Sequence, residues 1–178
     1  MSSADPTARL RPFVPADAPA LAQRVRESLA QLSPWLPWAT PNYGEQEAAA
    51  FIASTGTGIT HEFAIEVEGE LVGACGLNTI DHATRRANLG YWIATPLSGR
   101  GHVSRSVRAL VDWAFDETAF ERLEIVVGVG NTPSQRVAER VGAIREGVLE
   151  RRVWVRSRPD AEPTLEAAIL YALVRARP

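Results

Sequence analysis

Along residues 61–67 apolar and polar positions alternate, Phe63, Ile65 and Val67 against Glu62, Ala64 and Glu66, which is the two-residue period of a strand with one polar side. Glu68-Gly69-Glu70 turns the chain, and residues 71–80 return as a partner strand with low-relief spots at Gly73 and Gly76. Residues 86–93 follow after the polar connection Asp81-His82-Ala83-Thr84, so three consecutive antiparallel strands are predicted. Elsewhere the period lengthens to that of a helix. Leu21, Val25, Leu29 and Leu32 fall on one face of a single helix that covers a sheet, and a second helix is expected from residue 44 to about 54. Val103, Val107, Leu110, Val111, Ala114 and Phe115 mark a strongly amphipathic third. Thr132-Pro133 opens a fourth with a capping hydroxyl and a first-turn proline; Val137 and Val141 give its buried face and Gly142 ends it. Short strands at residues 10–13, 123–129, 143–155 and 166–174 complete a β, α, α, β, β, β, α, β, α, β, β order. That order predicts a mixed α/β fold, one domain over residues 1–178 with no repeat and no linker. Pro34, Pro37 and Pro41 interrupt Trp35, Trp38 and Tyr43, which predicts an ordered loop dense in aromatic surface.

The 178 residues, 46% hydrophobic and 22% charged, fit one globular core. A formal charge of −2 argues against a broad electrostatic grip on nucleic acid. All 19 strong cations are arginine, and the absence of lysine excludes a Walker-type phosphate loop, a Schiff-base lysine and a pyridoxal-phosphate lysine. Cys75, the one cysteine, makes no intrachain disulfide and no multi-cysteine zinc site, which fits a reducing compartment. His61, His82 and His102 belong to no HExxH pattern, so no protein-bound catalytic metal is expected. The apolar stretch at residues 167–174 is far short of the roughly 20 residues of a membrane span, and the polar opening Met1–Pro6 has no apolar leader core. A soluble, cytoplasmic protein without membrane contact is expected.

Residues 96–105, Pro-Leu-Ser-Gly-Arg-Gly-His-Val-Ser-Arg, lie between a strand and a helix, where free backbone N–H groups and the helix dipole bind anions. Phosphate is the natural guest, and Gly99 and Gly101 permit close backbone approach. Alone this pattern also describes an ordinary turn before a helix. It is no dinucleotide fingerprint, because Ser104 stands where the last glycine would be and the preceding strands form a meander.

Further units make the pattern specific. An apolar strand ends in Gly128-Val129-Gly130, then come Asn131-Thr132-Pro133-Ser134 and a helix closing on Glu139-Arg140-Val141-Gly142. With Leu10-Arg11-Pro12, Trp35-Leu36-Pro37-Trp38, Gly90-Tyr91-Trp92-Ile93 and Gly99-Arg100-Gly101, in that order over about residues 9–174, the chain resembles the GNAT superfamily of N-acetyltransferases. Within it, the chain is similar to ribosomal-protein N-terminal acetyltransferases of the RimJ/RimL type.

The resemblance implies a mostly antiparallel mixed sheet with helices on both faces, splayed between its fourth and fifth strands. The pantetheine arm of acetyl-CoA would lie in that gap, against residues 88–93, including Tyr91, Trp92 and Ile93, and residues 123–129; backbone near Ile93 would donate to the thioester oxygen. The pyrophosphate would meet the amides of Gly99, Arg100, Gly101, His102, Val103 and Ser104, with charge from Arg100 and Arg105. Pro96 departs from the Gln or Arg that the family usually places three residues before the first glycine, which removes one contact and leaves the backbone cradle. Ser134 would hydrogen-bond the sulfur and help protonate it, and Asn131 would hold the pantetheine amide or the local loop. No metal is implied.

Transfer to an amine also needs a proton acceptor. Many relatives carry Glu where this chain has Asn88, which cannot take a proton. Glu62, Glu66, Asp81, His82, Glu146 and Glu150 remain as candidates beside a water-mediated route, and a solvated surface charge is the ordinary role of each. Glu62 and Asn88 are assigned to the acceptor side. Trp35 and Trp38, with Tyr43, either wall the acceptor cleft or pack into the core. Weak base assistance favours a peptide α-amine, pKa about 7.7–8.0, over a lysine at about 10.4, with small-molecule amines also open. Competing readings are a catalytically silent CoA-binding module and an α/β nucleotide binder; a monomer or homodimer is expected.

Overall fold

The computed structural model describes residues 8–55 and 58–176, so the polar opening Met1–Pro6 read above lies outside the described residues. Seven strands build one sheet: β1 Arg9–Pro12, β2 His61–Val67, β3 Glu70–Asp81, β4 Arg86–Ile93, β5 Arg122–Gly128, β6 Ile144–Val155 and β7 Thr164–Val174, in the order β1-β2-β3-β4-β5-β7-β6. All neighbours are antiparallel except β4 and β5. The predicted meander is β2-β3-β4, with Gly76 opposite both Glu62 and Gly90.

Helices α1 Ala18–Glu27, α2 Leu29–Leu32 and α3 Glu45–Thr55 precede the meander; α4 His102–Glu117 and α5 Thr132–Arg140 flank β5. Strand alternation divides the core in two. Ile65, Leu77, Leu89 and Leu123 pack with Val107, Leu110 and Ala114 of α4 and Ala138 of α5. On the other face Ala64, Leu71 and Ala74 pack with Leu21 and Val25 of α1 and Ala48 and Ile52 of α3.

Two local expectations are corrected. The apolar face over Leu21 to Leu32 is not one helix: buried Ser28 interrupts it at φ −111°, ψ 7°, and its Oγ accepts the Thr95 N–H at 3.0 Å, tying the break to the end of β4. The cap of α5 is Asn131, whose Oδ1 accepts the Ser134 N–H at 3.3 Å, in place of the Thr132 hydroxyl.

The feature that positions the site is the parting of β4 from β5. Their parallel pairing is confined to Arg86–Asn88 against Arg122–Glu124; β5 continues to Gly128 paired only with β7. Among the described residues, the β4 edge from Leu89 to Ile93 has no strand partner on that side, and its backbone groups face a cleft.

Candidate active site

A cavity of about 650 Å³ opens on the sheet face covered by α1 and α3 and reaches through the split between β4 and β5. Glu62, Asn78 and Asn88 bring polar groups to it from three adjacent strands. Asn88 Nδ2 donates to Asn78 Oδ1 at 2.9 Å, and the Asn78 side chain hydrogen-bonds Glu62. Gly76 lies beneath the Glu62 carboxylate: a Cβ there would collide with it, so the low-relief spot seats the acid. Burial pushes the Glu62 carboxyl up to about 7, against the opposing hydrogen bond from Asn78. The buried carboxylate of the cavity thus stands on β2, two strands from Asn88 and joined to it by hydrogen bonds through Asn78.

The other end of the cavity holds a pair of hydroxyls. Tyr91 projects from β4 into the split; its OH donates to the Ser134 carbonyl at 2.9 Å and lies 3.0 Å from Ser134 Oγ. Burial pushes the phenol up to about 12, so it stays protonated at neutral pH. Ser134 sits in the first turn of α5, where the Asn131 cap fixes the backbone and the positive end of the dipole favours developing negative charge.

Trp35 and Trp38 wall the cavity, whereas Tyr43 is buried in the core under α1 and α3. Trp35 lies edge-on to the end of β5, where a Cβ added at Gly128 would stand 2.9 Å from its ring and one at Gly130 3.1 Å. Trp38 remains 42% exposed, with its ring 5.5 Å from Tyr43 and 6.1 Å from Trp92. Arg156 fastens this loop to the far half of the sheet: its N–H donates to the Pro34 carbonyl and its Nη1 to the Pro37 carbonyl, at 3.1 and 2.9 Å.

A second groove continues from the split along residues 97–104 to α5, sharing Trp35, Tyr91, Asn131 and Ser134 with the first cavity. Gly99 and Gly101 both take positive φ, 78° and 75°, and nothing lies within 4 Å of a Cβ placed on Gly99, so the loop leaves a shallow open cradle before α4. Ile93 and Val103 line it, Arg100 is exposed beside it, and Arg136 and Arg140 border it from α5. The His102 ring is buried, with Nδ1 3.0 Å from an Arg105 nitrogen, so the loop offers its amide rather than its imidazole. Ser104 is likewise buried. This arrangement fits a long molecule with an anionic head and a narrow arm: first-turn helix amides for the head, a strand edge without a strand partner for the arm.

Of the acids considered from sequence, Glu62 alone lines the cavity. Glu66 is paired with Arg11 at 2.6 Å, Glu146 with Arg122, and Asp81 accepts the Ala83 and Thr84 N–H groups in a turn; His82 and Glu150 are exposed. Sequence reasoning missed Asn78, the Tyr91–Ser134 hydroxyl pair, Trp154 and Arg156. The register of the β3-β4 hairpin would have placed Asn78 opposite Asn88; the others meet only through long-range packing. Among the described residues no group of three or more His, Cys, Asp or Glu side chains could hold a metal ion, and no helix is long and apolar enough to cross a membrane.

A family model described as Acetyltransferase (GNAT) domain matches residues 8–144. YdaF of Bacillus subtilis (strain 168), provisionally named a ribosomal N-acetyltransferase, is 32% identical over 143 residues, 78% of each chain. The ribosomal-protein-serine acetyltransferase of Escherichia coli (strain K12) is 31% identical over 103 residues, 58% of each chain. Among solved structures, Mycobacterium smegmatis RimJ in complex with CoA-disulfide superposes with a TM-score of 0.85 at 26% identity, over 96% of this chain and 83% of that one.

Proposed function

Because the chain belongs to the acetyltransferase (GNAT) domain family, we propose that it moves an acetyl group from acetyl-CoA to a peptide N-terminal α-amine, with Glu62 as proton acceptor and Ser134 as donor to the departing sulfur. The observation that carries this reading is that one cavity holds an acid tuned to about 7 on one side of the β4-β5 split and a hydroxyl pair on the other. When bound, acetyl-CoA supplies an activated thioester; the split receives its arm and the amides of Gly99 to Ser104 its pyrophosphate. The nature of RimJ as a CoA-binding relative supports this choice of donor.

The chain's own part is proton handling. Glu62 accepts the ammonium proton, leaving the amine lone pair free to attack. Ser134 Oγ donates toward the sulfur as charge develops there, and the second proton shed by the acylated nitrogen balances the one that leaves with the thiol; Tyr91 OH, 3.0 Å from Ser134 Oγ and donating to the Ser134 backbone carbonyl, holds the residue in place. An acid of pKa about 7 is poorly matched to lysine and well matched to a chain end. Taking a proton from an α-amine costs about 1 kcal/mol, and from a lysine about 4 to 5 kcal/mol. A silent CoA-binding module would have no use for a buried carboxylate held over Gly76, which argues against that alternative.

The test is thiol release from acetyl-CoA with unblocked and N-blocked peptides of one sequence: release with the first and none with the second is expected, and release confined to lysine side chains would reject the reading. Gly101→Val places a branched side chain at φ 75°, in the left-handed region, and against Arg105. Its affinity for CoA, by calorimetry, should fall at least about tenfold, and the backbone strain should lower the melting temperature by a few degrees. Gly128→Ala pushes Trp35 from the end of β5 and should raise the acceptor KM about fivefold.

A further inference from the structure

The surroundings of Glu62 restrict what the amine can be attached to. Among the described residues that line the cavity there is no arginine or histidine, and the chain has no lysine. Its charged members are Glu62 and Glu47, both acidic. Beside Glu62 stand the neutral amides of Asn78 and Asn88, and most of the remaining lining is apolar or aromatic, chiefly Trp35, Leu36, Phe51 and Trp92. Trp38 and Trp154 also line it but stay 42% and 49% exposed, presenting ring surface to whatever enters between the loop and β6.

We propose that this site selects chain ends whose first residue is large and apolar and rejects amines with a carboxylate one or two carbons away, because the amine must meet Glu62 inside an aromatic cavity that holds acids and no cation. The proposal rests on the transferase reading and deepens it. Once the amine hydrogen-bonds Glu62, the first side chain branches from the adjacent carbon and has to lie in the same cavity. An apolar side chain replaces water against Trp35, Leu36 and Phe51. A small hydroxyl side chain leaves that surface wet. A carboxylate there, whether an aspartyl side chain or the α-carboxylate of a free amino acid, loses its hydration with no cation to face and stands beside Glu62. The peptide carbonyl of a chain end is neutral and escapes the penalty.

Three peptide amides with α-amines of similar basicity test this: Phe-Gly-amide, Ser-Gly-amide and Asp-Gly-amide, with free phenylalanine as a fourth acceptor. With acetyl-CoA saturating, kcat/KM for the Phe peptide is expected to exceed that of the Ser peptide at least about tenfold, and those of the Asp peptide and free phenylalanine at least about a hundredfold. Binding is read separately from tryptophan fluorescence with CoA present: a saturable change for the Phe peptide and none for the Asp peptide at equal concentration. Equal use of the Phe and Asp peptides, or a preference for Ser over Phe, overturns the selectivity while leaving acetyl transfer standing. The expected fluorescence pattern without turnover of any acceptor supports the selectivity and rejects the transferase reading instead. No fluorescence difference together with no turnover overturns both.

Discussion

Replacing Ser134 by alanine lowers turnover about a hundredfold and leaves CoA affinity within about twofold. The hydroxyl does little for a bound thioester, whose sulfur is a weak acceptor, and much for a departing thiolate. Loss of one hydrogen bond to developing charge in a water-poor cleft corresponds to about 2.7 kcal/mol, or a hundredfold. The substitution is conservative locally. Tyr91 donates to the Ser134 backbone carbonyl, which alanine retains, and the Asn131 cap accepts a backbone N–H, so of the local contacts only that between the two hydroxyls is lost. Steady-state kinetics beside calorimetry with CoA separates the two effects. A turnover number equal to the parent's would remove Ser134 from the chemistry. Tyr91→Phe provides the complementary measurement: it frees the Ser134 hydroxyl from its neighbour at 3.0 Å without deleting it, and a smaller loss, about tenfold, is expected.

Why Ser134 was visible in the sequence and Glu62 was ambiguous has a physical basis. Ser134 belongs to a local unit, a strand end, an Asn cap and a first helical turn, all within six residues of it in the chain; only its contacts with Tyr91 come from afar. The glycine cradle and the three-stranded meander are local in the same sense, set by turn chemistry and two-residue alternation. Alternation also put Glu62 on the polar side of its strand, but it does not say what covers that side. Solvent would have made Glu62 an ordinary surface acid. Tertiary packing instead places α1, α3 and the tryptophan loop over it, and Asn78 reaches it from the neighbouring strand. The same limit explains the tryptophans. Sequence left Trp35 and Trp38 between core and cleft, and the choice was made by Gly128 and Gly130, about 90 residues later, which give Trp35 its seat, and by Arg156, which holds the loop backbone. Likewise the break at Ser28 has a long-range cause, its bond to Thr95.

Glu62→Gln is the variant in which activity and stability move in opposite directions. Glutamine keeps the shape and the hydrogen bond with Asn78 but accepts no proton, so kcat/KM for an α-amine peptide should fall about a thousandfold at pH 7. In the parent, the log of kcat/KM climbs with pH as Glu62 ionises through about 7; in the variant that limb disappears, and what remains follows the amine's own titration near 7.7–8.0. Stability responds the other way. Burial raises the folded-state pKa from the ordinary 4.5 to about 7, so the folded protein holds this proton more tightly than the unfolded chain does. Below pH 4.5 the carboxyl is neutral in both states and nothing is lost; as pH rises through 7 the folded state must carry a buried charge, at a cost of up to about 3 kcal/mol. Glutamine carries no such charge. Thermal unfolding should therefore show parent and variant alike at pH 4 and the variant melting several degrees higher at pH 8. A variant destabilised equally at both values would mean that Glu62 serves the fold, and a retained inflection near 7, below the amine's own titration, would assign the proton acceptor to another group.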